Sequence, residues 1–400
     1  MRVVFLTSSG QLGGAERVVL EAMHGLRARG ATPSLLSLEA GPLLEEARRH
    51  GVDAEALTPP AELTELGEAG RPTVSVIGNL GRAVGPLPRF VKSFAARLGA
   101  AGADIVYSHG IKTHVLAALS RPSAPIVWHL HDYIGRRAVS ARLLGWLARR
   151  ASLALAVSES VAIDARAVLG RRLPIGVVHN PVDTDRFTPE GPQADLDSMS
   201  GLPAAGAGVV RVGLPATFAR WKGHEVFLRA LAAMAPDRAR GYVIGGPVYR
   251  TAGSQWSLEE LRTLSGELGL DGRVGFTGLV ADMPSAYRAL DLVVHASTSP
   301  EPFGLVIPEA MATGRAVIAV PSGGSAELFA DGINAVGVSS GDPFALAAAM
   351  TALADDEPGR RRLGKAAREH AVARFGRDRF TDALMSALSG AGTGRQPLRV

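Results

Sequence analysis

The 400-residue chain contains no cysteine, and only 5% of its residues are aromatic. The lack of cysteine excludes disulfides, zinc–thiolate sites, iron–sulfur clusters and thiol nucleophiles, and it fits a reducing compartment. No apolar run is long enough to cross a bilayer, which takes about 20 residues. The longest, Leu143–Val157, is interrupted by Arg149 and Arg150, and the short apolar start is too small for a signal peptide. We therefore predict a cytoplasmic protein.

The chain also has little excess of either charge: it contains 43 basic and 38 acidic residues, and its formal net charge is only +5. Such a balance does not indicate a nucleic-acid partner, and none is predicted. Because 46% of the residues are apolar, the chain can bury substantial cores, which excludes overall disorder. Its length favours two domains or more, because single cores stop growing near about 250–300 residues.

Several common catalytic motifs are absent. The chain has no G-x-G-x-x-G, G-x-x-x-x-G-K-[ST], G-x-S-x-G or H-E-x-x-H, which argues against a dinucleotide site, a P-loop nucleotidase, a nucleophile-elbow hydrolase and a zincin. His129 and His131 would share one face of a strand and so resemble a metal pair. The sequence offers no obvious third or fourth ligand, so no metal and no cofactor are predicted.

Short apolar runs bounded by Gly, Pro or Ser alternate with helical patterns, which predicts α/β architecture with doubly wound, Rossmann-like parallel sheets. An aperiodic stretch rich in turn residues divides the chain. We predict an N-terminal domain over 1–187, a linker over 188–208, and a C-terminal domain over 209–375. A helix within 376–400 is expected to pack back on the N-terminal domain before a flexible tail. Ligands of such sheets bind at the carboxyl ends of strands, here in an interdomain cleft. The predicted strands are 3–6, 34–38, 75–77, 105–107, 126–130, 153–157, 175–178, 209–214, 242–244, 274–276, 292–295, 316–320 and 335–338.

The most informative motif is 299–312, which reads as a strand end, a turn with prolines and a glycine, and a helix start. Pro308 is tolerated only near a helix start, and a glycine-bearing turn before a helix is a natural anion site. Glu301 and Glu309 flank this site. Since carboxylates are pure acceptors, they suit paired sugar hydroxyls better than a phosphate.

With seven residues between them, Glu301 and Glu309 resemble the Glu-x7-Glu motif of retaining GT-B glycosyltransferases, especially those of family four. The surrounding Pro-Phe-Gly-Leu and Glu-Ala-Met-Ala strengthen the resemblance. It implies that Glu309 holds the ribose diol of the donor nucleotide and that Glu301 contacts the donor sugar. The backbone around Phe303, Gly304 and Leu305 would reach the distal phosphate and the sugar.

The resemblance extends over nearly the whole chain, and it implies that the N-terminal domain binds the acceptor and the C-terminal domain binds the nucleotide sugar. Gly13 and Gly14 match the glycine loop that approaches the donor phosphates, and His131 stands where the family has a His that hydrogen-bonds the donor sugar. Lys222 falls on a lysine that neutralises the diphosphate. Thr217 replaces the family's arginine, and Arg220 could substitute for it.

The resemblance implies a retaining, metal-independent hexosyltransferase that uses a UDP-sugar, with a GDP-sugar as the alternative. Its acceptor would be a hydroxyl of a small molecule, a glycan or a lipid-linked compound. A GT-B nucleotide-sugar epimerase and a non-catalytic nucleotide-sugar-binding protein stay open as alternatives. An epimerase would form product from donor alone, and a binding protein would bind donor without turnover.

Charge is uneven within the first domain: residues 71–172 carry 15 basic against 4 acidic side chains, whereas residues 1–70 carry 6 against 10. The arginines of 136–150 bracket Leu143, Leu144, Trp146 and Leu147. One interpretation is an interfacial helix that makes peripheral contact with an anionic membrane at its inner face. The other is a solvated basic face over an ordinary core helix.

Overall fold

A computed structural model describes residues 1–61, 85–248 and 253–393. The chain forms two compact units. The first comprises Met1–Pro181 together with the C-terminal segment from Arg377, and the second comprises Val182–Gly376.

The first unit is built on a seven-stranded sheet in the order β3-β2-β1-β4-β5-β6-β7, in which all neighbouring strands are parallel. The strands are β1 (Arg2–Thr7), β2 (Thr32–Ser37), β3 (Asp53–Ala56), β4 (Ile105–His109), β5 (Ile126–Leu130), β6 (Leu153–Ala156) and β7 (Ile175–Val177). The order reverses between β1 and β4, as in doubly wound folds. The strand predicted at 75–77 lies outside the described residues.

Helices of the first unit cover the sheet between its strands. They are α1 (Gly14–Ala28), α2 (Pro42–Arg49), α3 (Pro86–Ala100), α4 (Ile111–Ser120), α5 (Ala138–Leu147) and α6 (Glu159–Leu169). Five apolar side chains of α1 recur at helical spacing and are all buried, namely Val18, Val19, Ala22, Met23 and Leu26. Packing of this one apolar face fixes the helix against the sheet.

The second unit has a six-stranded parallel sheet in the order β10-β9-β8-β11-β12-β13. Its strands are β8 (Val210–Pro215), β9 (Ala239–Ile244), β10 (Val274–Gly278), β11 (Leu292–His295), β12 (Ala316–Ala319) and β13 (Val336–Gly337). The helices are α7 (Leu196–Met199), α8 (His224–Ala233), α9 (Leu258–Glu267), α10 (Met283–Arg288), α11 (Val306–Ala312), α12 (Pro343–Asp355) and α13 (Glu357–Phe375). The last helix, α14 (Arg377–Thr393), belongs to the first unit.

The boundary between the units lies at Pro181–Val182, earlier than the predicted end at 187, and residues 188–208 are part of the second unit rather than a free linker. Asp197 is the reason, because its buried carboxylate accepts hydrogen bonds from Arg211 (2.8 Å), Arg240 (2.7 Å) and the hydroxyl of Tyr242 (2.6 Å). These partners stand on β8 and β9, so the predicted linker is attached to the second sheet. Turn-rich composition alone does not reveal such an anchor.

Helix α14 packs on α1. Arg377 donates a 2.7 Å hydrogen bond to Glu21, and Arg29 forms ion pairs with Asp378 and Asp382. Gly25 permits close approach, since a Cβ there would lie 2.1 Å from Oγ1 of Thr381. In the part of the chain that the structure describes, none of the helices has the length and apolar character needed to cross a membrane.

Candidate active site

Two predicted site residues meet at the carboxyl edge of the second sheet. Lys222 ends a 3-10 turn, Arg220–Lys222, that follows β8, and Glu301 lies in the loop that follows the adjacent strand β11. Lys222 Nζ is 2.5 Å from Glu301 Oε1, and the side chains are 18% and 4% exposed, respectively. A buried ion pair therefore stands at the edge where α/β sheets bind ligands.

The carboxylate of Glu301 has further partners. Ser297 Oγ donates to its Oε1 over 2.5 Å, and His295 Nε2 lies 3.3 Å from the same oxygen. Burial would raise the pKa of Glu301, but the charge of Lys222 and the hydrogen bond with His295 lower it more. The pKa lies well below its usual range, so Glu301 is ionised at neutral pH.

The backbone brings these side chains together through close contacts that require glycine. Gly223 has φ +79°, and a Cβ there would lie 1.9 Å from the carbonyl oxygen of Ala296, just after β11. Gly304 has φ +96°, a backbone conformation that favours glycine, and it lies beside His295, since a Cβ would be 3.5 Å from its Nε2. The amide of Thr298 donates to the carbonyl of Trp221 over 2.8 Å. The two loops are thus fixed to each other.

Glu309 is positioned separately, on α11. Tyr287 Oη, from α10, donates a 2.8 Å hydrogen bond to Glu309 Oε2. Burial raises the pKa of Tyr287, and the neighbouring Glu309 raises it further, so the phenol stays a donor. Glu309 is half-buried, and its carboxylate oxygens are acceptors, which suits hydroxyls of a ligand.

Other predicted residues of this unit have different surroundings. Arg220 donates to Glu260 over 2.6 Å, and its guanidinium lies 4.1 Å from the centre of the Trp256 ring. Its contacts are on the side of α9, whereas Lys222 contacts Glu301. Phe303 is buried with its ring edge against Phe375, so its side chain belongs to the core.

The remaining two predicted positions are Thr217 and Leu305. Thr217 follows β8, and its buried Oγ1 has no hydrogen-bond partner within the described residues. Leu305 caps the start of α11, where its carbonyl accepts from the amide of Glu309.

In the first unit, Gly13 and Gly14 lie where β1 leads into α1. Gly13 is the N-cap residue, and a Cβ on it would come 2.6 Å from Glu16 Oε2. Burial is the main cause that raises the pKa of Glu16. Both glycines are exposed, so the backbone of this turn is accessible to a ligand.

His131 belongs to a cluster of imidazoles at the carboxyl edge of the first sheet. Its Nε2 is 2.8 Å from His129 Nδ1, and its ring centre is 3.9 Å from those of both His129 and His109. Burial lowers the pKa of His109 to about 3, and burial together with the other histidines lowers those of His129 and His131 well below their usual range. The cluster is uncharged at neutral pH.

Sequence reasoning missed four residues of these clusters: His295, Ser297, Tyr287 and His109. His109 and His295 are the final residues of their strands, and Ser297 follows β11 by two positions. Polar residues that end buried parallel strands are a signal that could have indicated His109, His295 and Ser297, because such ends share one edge. Tyr287, on α10, carries no comparable signal.

Two parallel-sheet α/β domains are the architecture of the GT-B class of glycosyltransferases. The crystal structure of Anabaena HepE in complex with UDP-glucose matches with a TM-score of 0.81 at 27% identity, covering 98% of this chain and 100% of that one. The family model "Glycosyltransferase Family 4" matches residues 12–186, and "Glycosyl transferases group 1" matches residues 212–370. The chain belongs to the family-four glycosyltransferases of GT-B type.

Among curated relatives, the D-inositol 3-phosphate glycosyltransferase of Xylanimonas cellulosilytica is 34% identical over 56% of this chain and 53% of its own length. That of Streptomyces avermitilis is 30% identical over 72% of this chain and 65% of its own length. The chain spans about half the length of the first curated relatives it matches.

Proposed function

We propose that this protein is a retaining glycosyltransferase that moves a hexose from a nucleotide sugar to a hydroxyl acceptor. The observation that carries the proposal is the buried Lys222–Glu301 pair at the carboxyl edge of the second sheet. Glu309 stands on the helix that follows the Glu301 loop, held by Tyr287. A cation for a diphosphate and two acceptors for hydroxyls are the groups that a nucleotide sugar requires.

Each group has a role in the proposed reaction. The bond between the anomeric carbon and the phosphate oxygen breaks with its electron pair going to the phosphate, and Lys222 stabilises the charge that develops there. The acceptor oxygen bonds to the anomeric carbon on the same face, and its proton passes to the leaving phosphate. Glu301 accepts hydrogen bonds from the sugar, and Glu309 accepts them from the ribose. Because Lys222 supplies the positive charge, we propose that the transfer needs no metal.

A UDP-sugar is the proposed donor. The HepE structure, similar over its whole length, contains UDP-glucose, which supports uridine over the alternative GDP-sugar. For the acceptor, we propose a hydroxyl of a glycolipid, a polysaccharide precursor or a natural product. The phosphorylated cyclitol in the names of the curated relatives is one member of that range to include in a screen.

The first experiment measures thermal stabilisation by UDP- and GDP-sugars, followed by transfer to candidate acceptors. We expect Glu309→Ala to remove the stabilisation. Glu357→Ala is the matched control, because Glu357 is also a helix-start glutamate but is exposed and paired with Arg361. Unchanged donor binding in Glu309→Ala would contradict the assignment. Epimerised donor without acceptor, or binding without turnover on any acceptor, would contradict transfer.

A second experiment separates the two candidate cations. Lys222→Ala should lower kcat by about 10²–10³-fold, the usual cost of removing one group that stabilises developing charge. Arg220→Ala should cost less if Arg220 keeps its contacts with Glu260 and Trp256 during the reaction. An equal loss in both variants would show that Arg220 leaves Glu260 to bind the diphosphate. Chelator should leave the rate of the wild type undiminished.

We further propose that the protein works in the cytoplasm with α5 against the inner face of an anionic membrane. Apolar side chains at helical spacing on α5 are exposed to solvent: Val139 by 64%, Leu143 by 40% and Trp146 by 57%. Arg149 stacks on the Trp146 ring at 4.9 Å, which adds a cation to the apolar stripe. Apolar groups flanked by arginines are the features of an interfacial helix.

Vesicle sedimentation tests this contact. Binding to anionic vesicles at low salt, weakened by added salt, is expected for the wild type. The double substitution Leu143→Ser and Trp146→Ser should abolish it. Ile333→Ser is the control, since Ile333 is as exposed as these residues but belongs to the second unit. Absence of wild-type binding at low salt would end the membrane proposal.

A further inference from the structure

Of the three histidines at the carboxyl edge of the first sheet, only His131 has a predicted role in the transfer reaction, and the clustering of His109 and His129 around it is not explained by that role. His109 ends β4, His129 stands in the adjacent strand β5, and the two residues are direct partners in the parallel register. His131 follows β5 and folds back over both rings. One ring nitrogen of each histidine lies within 4.8 Å of those of the other two.

We propose that His109, His129 and His131 form a binding site for a transition-metal ion, with Zn²⁺ as the reference ion. Zn²⁺ takes three imidazoles and a water molecule in its tetrahedral shell, and the late first-row divalent ions share this preference for nitrogen. The proposal departs from the prediction of no metal. The sequence shows the pair His129–His131, but the third ligand, His109, lies on another strand and is brought to them only by the fold.

Hydrogen bonding within the protein leaves this cluster incompletely satisfied. His109 Nδ1 is buried and has no hydrogen-bond partner in the described part of the chain. Native proteins rarely leave such atoms unpaired.

The contact between His129 Nδ1 and His131 Nε2 shows how an ion would enter. At 2.8 Å the two nitrogens share one proton. An ion between them would replace that proton, which moves to the other nitrogen of the same ring, so no net proton is released. With Zn–N bonds of about 2.0–2.1 Å, tetrahedral geometry separates the nitrogens by about 3.4 Å. These two nitrogens therefore have to move apart by about half an ångström, while any wider separation in the group, up to 4.8 Å, has to close.

The nearest acidic residue in sequence does not complete the set. Asp132 accepts the amide of Tyr133 over 2.8 Å and lies 3.6 Å from Arg137. The proposed site thus has three protein ligands and an open position. A bound ion would also occupy the nitrogen of His131, the residue predicted to contact the donor sugar. That consequence rests on the proposed function, whereas the metal site itself does not.

The test titrates the full-length, chelator-treated protein with Co²⁺, followed by displacement with Zn²⁺. We expect one equivalent to bind with the intense visible absorption of four-coordinate cobalt, and Zn²⁺ to remove that absorption. His109→Gln and His129→Gln should each weaken binding by at least about tenfold, the usual loss for a weakened metal shell. The exposed pair His24 and His50, with ring centres 5.2 Å apart, gives the control variant His24→Gln/His50→Gln.

Three results would overturn the proposal. They are no Co²⁺ absorption in the wild type, unchanged binding in folded His109→Gln, and loss of binding in the His24/His50 control. Thermal melting without metal establishes whether each variant is folded. Should the histidine variants fail to fold, X-ray absorption at the zinc edge of the wild type decides instead. Three imidazoles around the ion are expected, and fewer would refute the assignment.

Discussion

The carboxyl edges of the two sheets differ in the charge of the polar side chains that they bury. Both edges bury polar side chains at the ends of parallel strands. The first unit does so with imidazoles that burial keeps neutral, whereas the second keeps a full positive and a full negative charge 2.5 Å apart. Neutral groups avoid the desolvation cost of charge, and a paired charge offsets it. The second edge is therefore the one whose integrity depends on both partners being present.

Removing one partner of the charged edge should have the largest effect. Lys222→Met leaves Glu301 as a buried charge without its cation, and breaking such a pair costs about 3–5 kcal/mol. We expect the free energy of unfolding of the second unit to fall by that amount in urea titrations. Adding Glu301→Gln should restore much of it, because the uncompensated charge is removed.

Arg229→Met provides the control for this experiment. Arg229 pairs with Glu225 on the exposed face of α8, and such surface pairs contribute about 0.3–0.5 kcal/mol. If Lys222→Met and Arg229→Met destabilise equally, the contrast between the two edges does not exist.

The next largest effect should appear in the stability of the protein at acidic pH. The pKa of folded Glu301 lies below its ordinary value of 4.5, so on acidification the unfolded chain takes up this proton first. Its contribution is complete above that ordinary value and is lost as the pH falls toward the folded pKa. We expect stability of the wild type to decline more steeply below about pH 4.5 than that of Glu301→Gln. Parallel curves for the two proteins would contradict a lowered pKa.

The smallest expected effect on stability comes from removing one tyrosine hydroxyl in each unit. Tyr287→Phe removes a hydrogen bond to the carboxylate of Glu309, a charged acceptor, for which about 1.5–3 kcal/mol is typical. Tyr133→Phe, in the first unit, removes a 3.0 Å contact with the hydroxyl of Ser160, a neutral partner worth about 0.5–1.5 kcal/mol. Unfolding measurements on both variants show whether charge sets the difference, and the reverse order would refute it.

The architecture was predictable because the inner strands are continuous apolar runs. Residues 126–130 and 292–295 were predicted with the bounds that the structure shows. Strand β3 was missed because its sequence, Asp-Ala-Glu-Ala, places only Ala54 in the core of an edge position. The fold prediction of two doubly wound α/β domains is confirmed by the two parallel sheets and by the solved GT-B structures.

Prediction of the site was limited by spatial relations that a sequence does not contain. Glu301 and Glu309 were recognisable from their spacing together with the surrounding motif, and Lys222 from its match to the family's lysine position. That Lys222 would bond to Glu301, or that Arg220 would lie against Trp256, depends on loop geometry. His109 could be added to His129 only with the register of β4 against β5. The roles assigned to these residues in catalysis stay predictions.

The position of α14 has a consequence for how the protein is made on the ribosome. The first unit contains residues from both ends of the described chain, and Thr381 and Arg377 pack against α1. Translation therefore delivers every residue of the second unit before the first unit has its last helix. The part synthesised first is completed last, and until then the face of α1 that receives α14, with Glu21, Gly25 and Arg29, stays open to other partners.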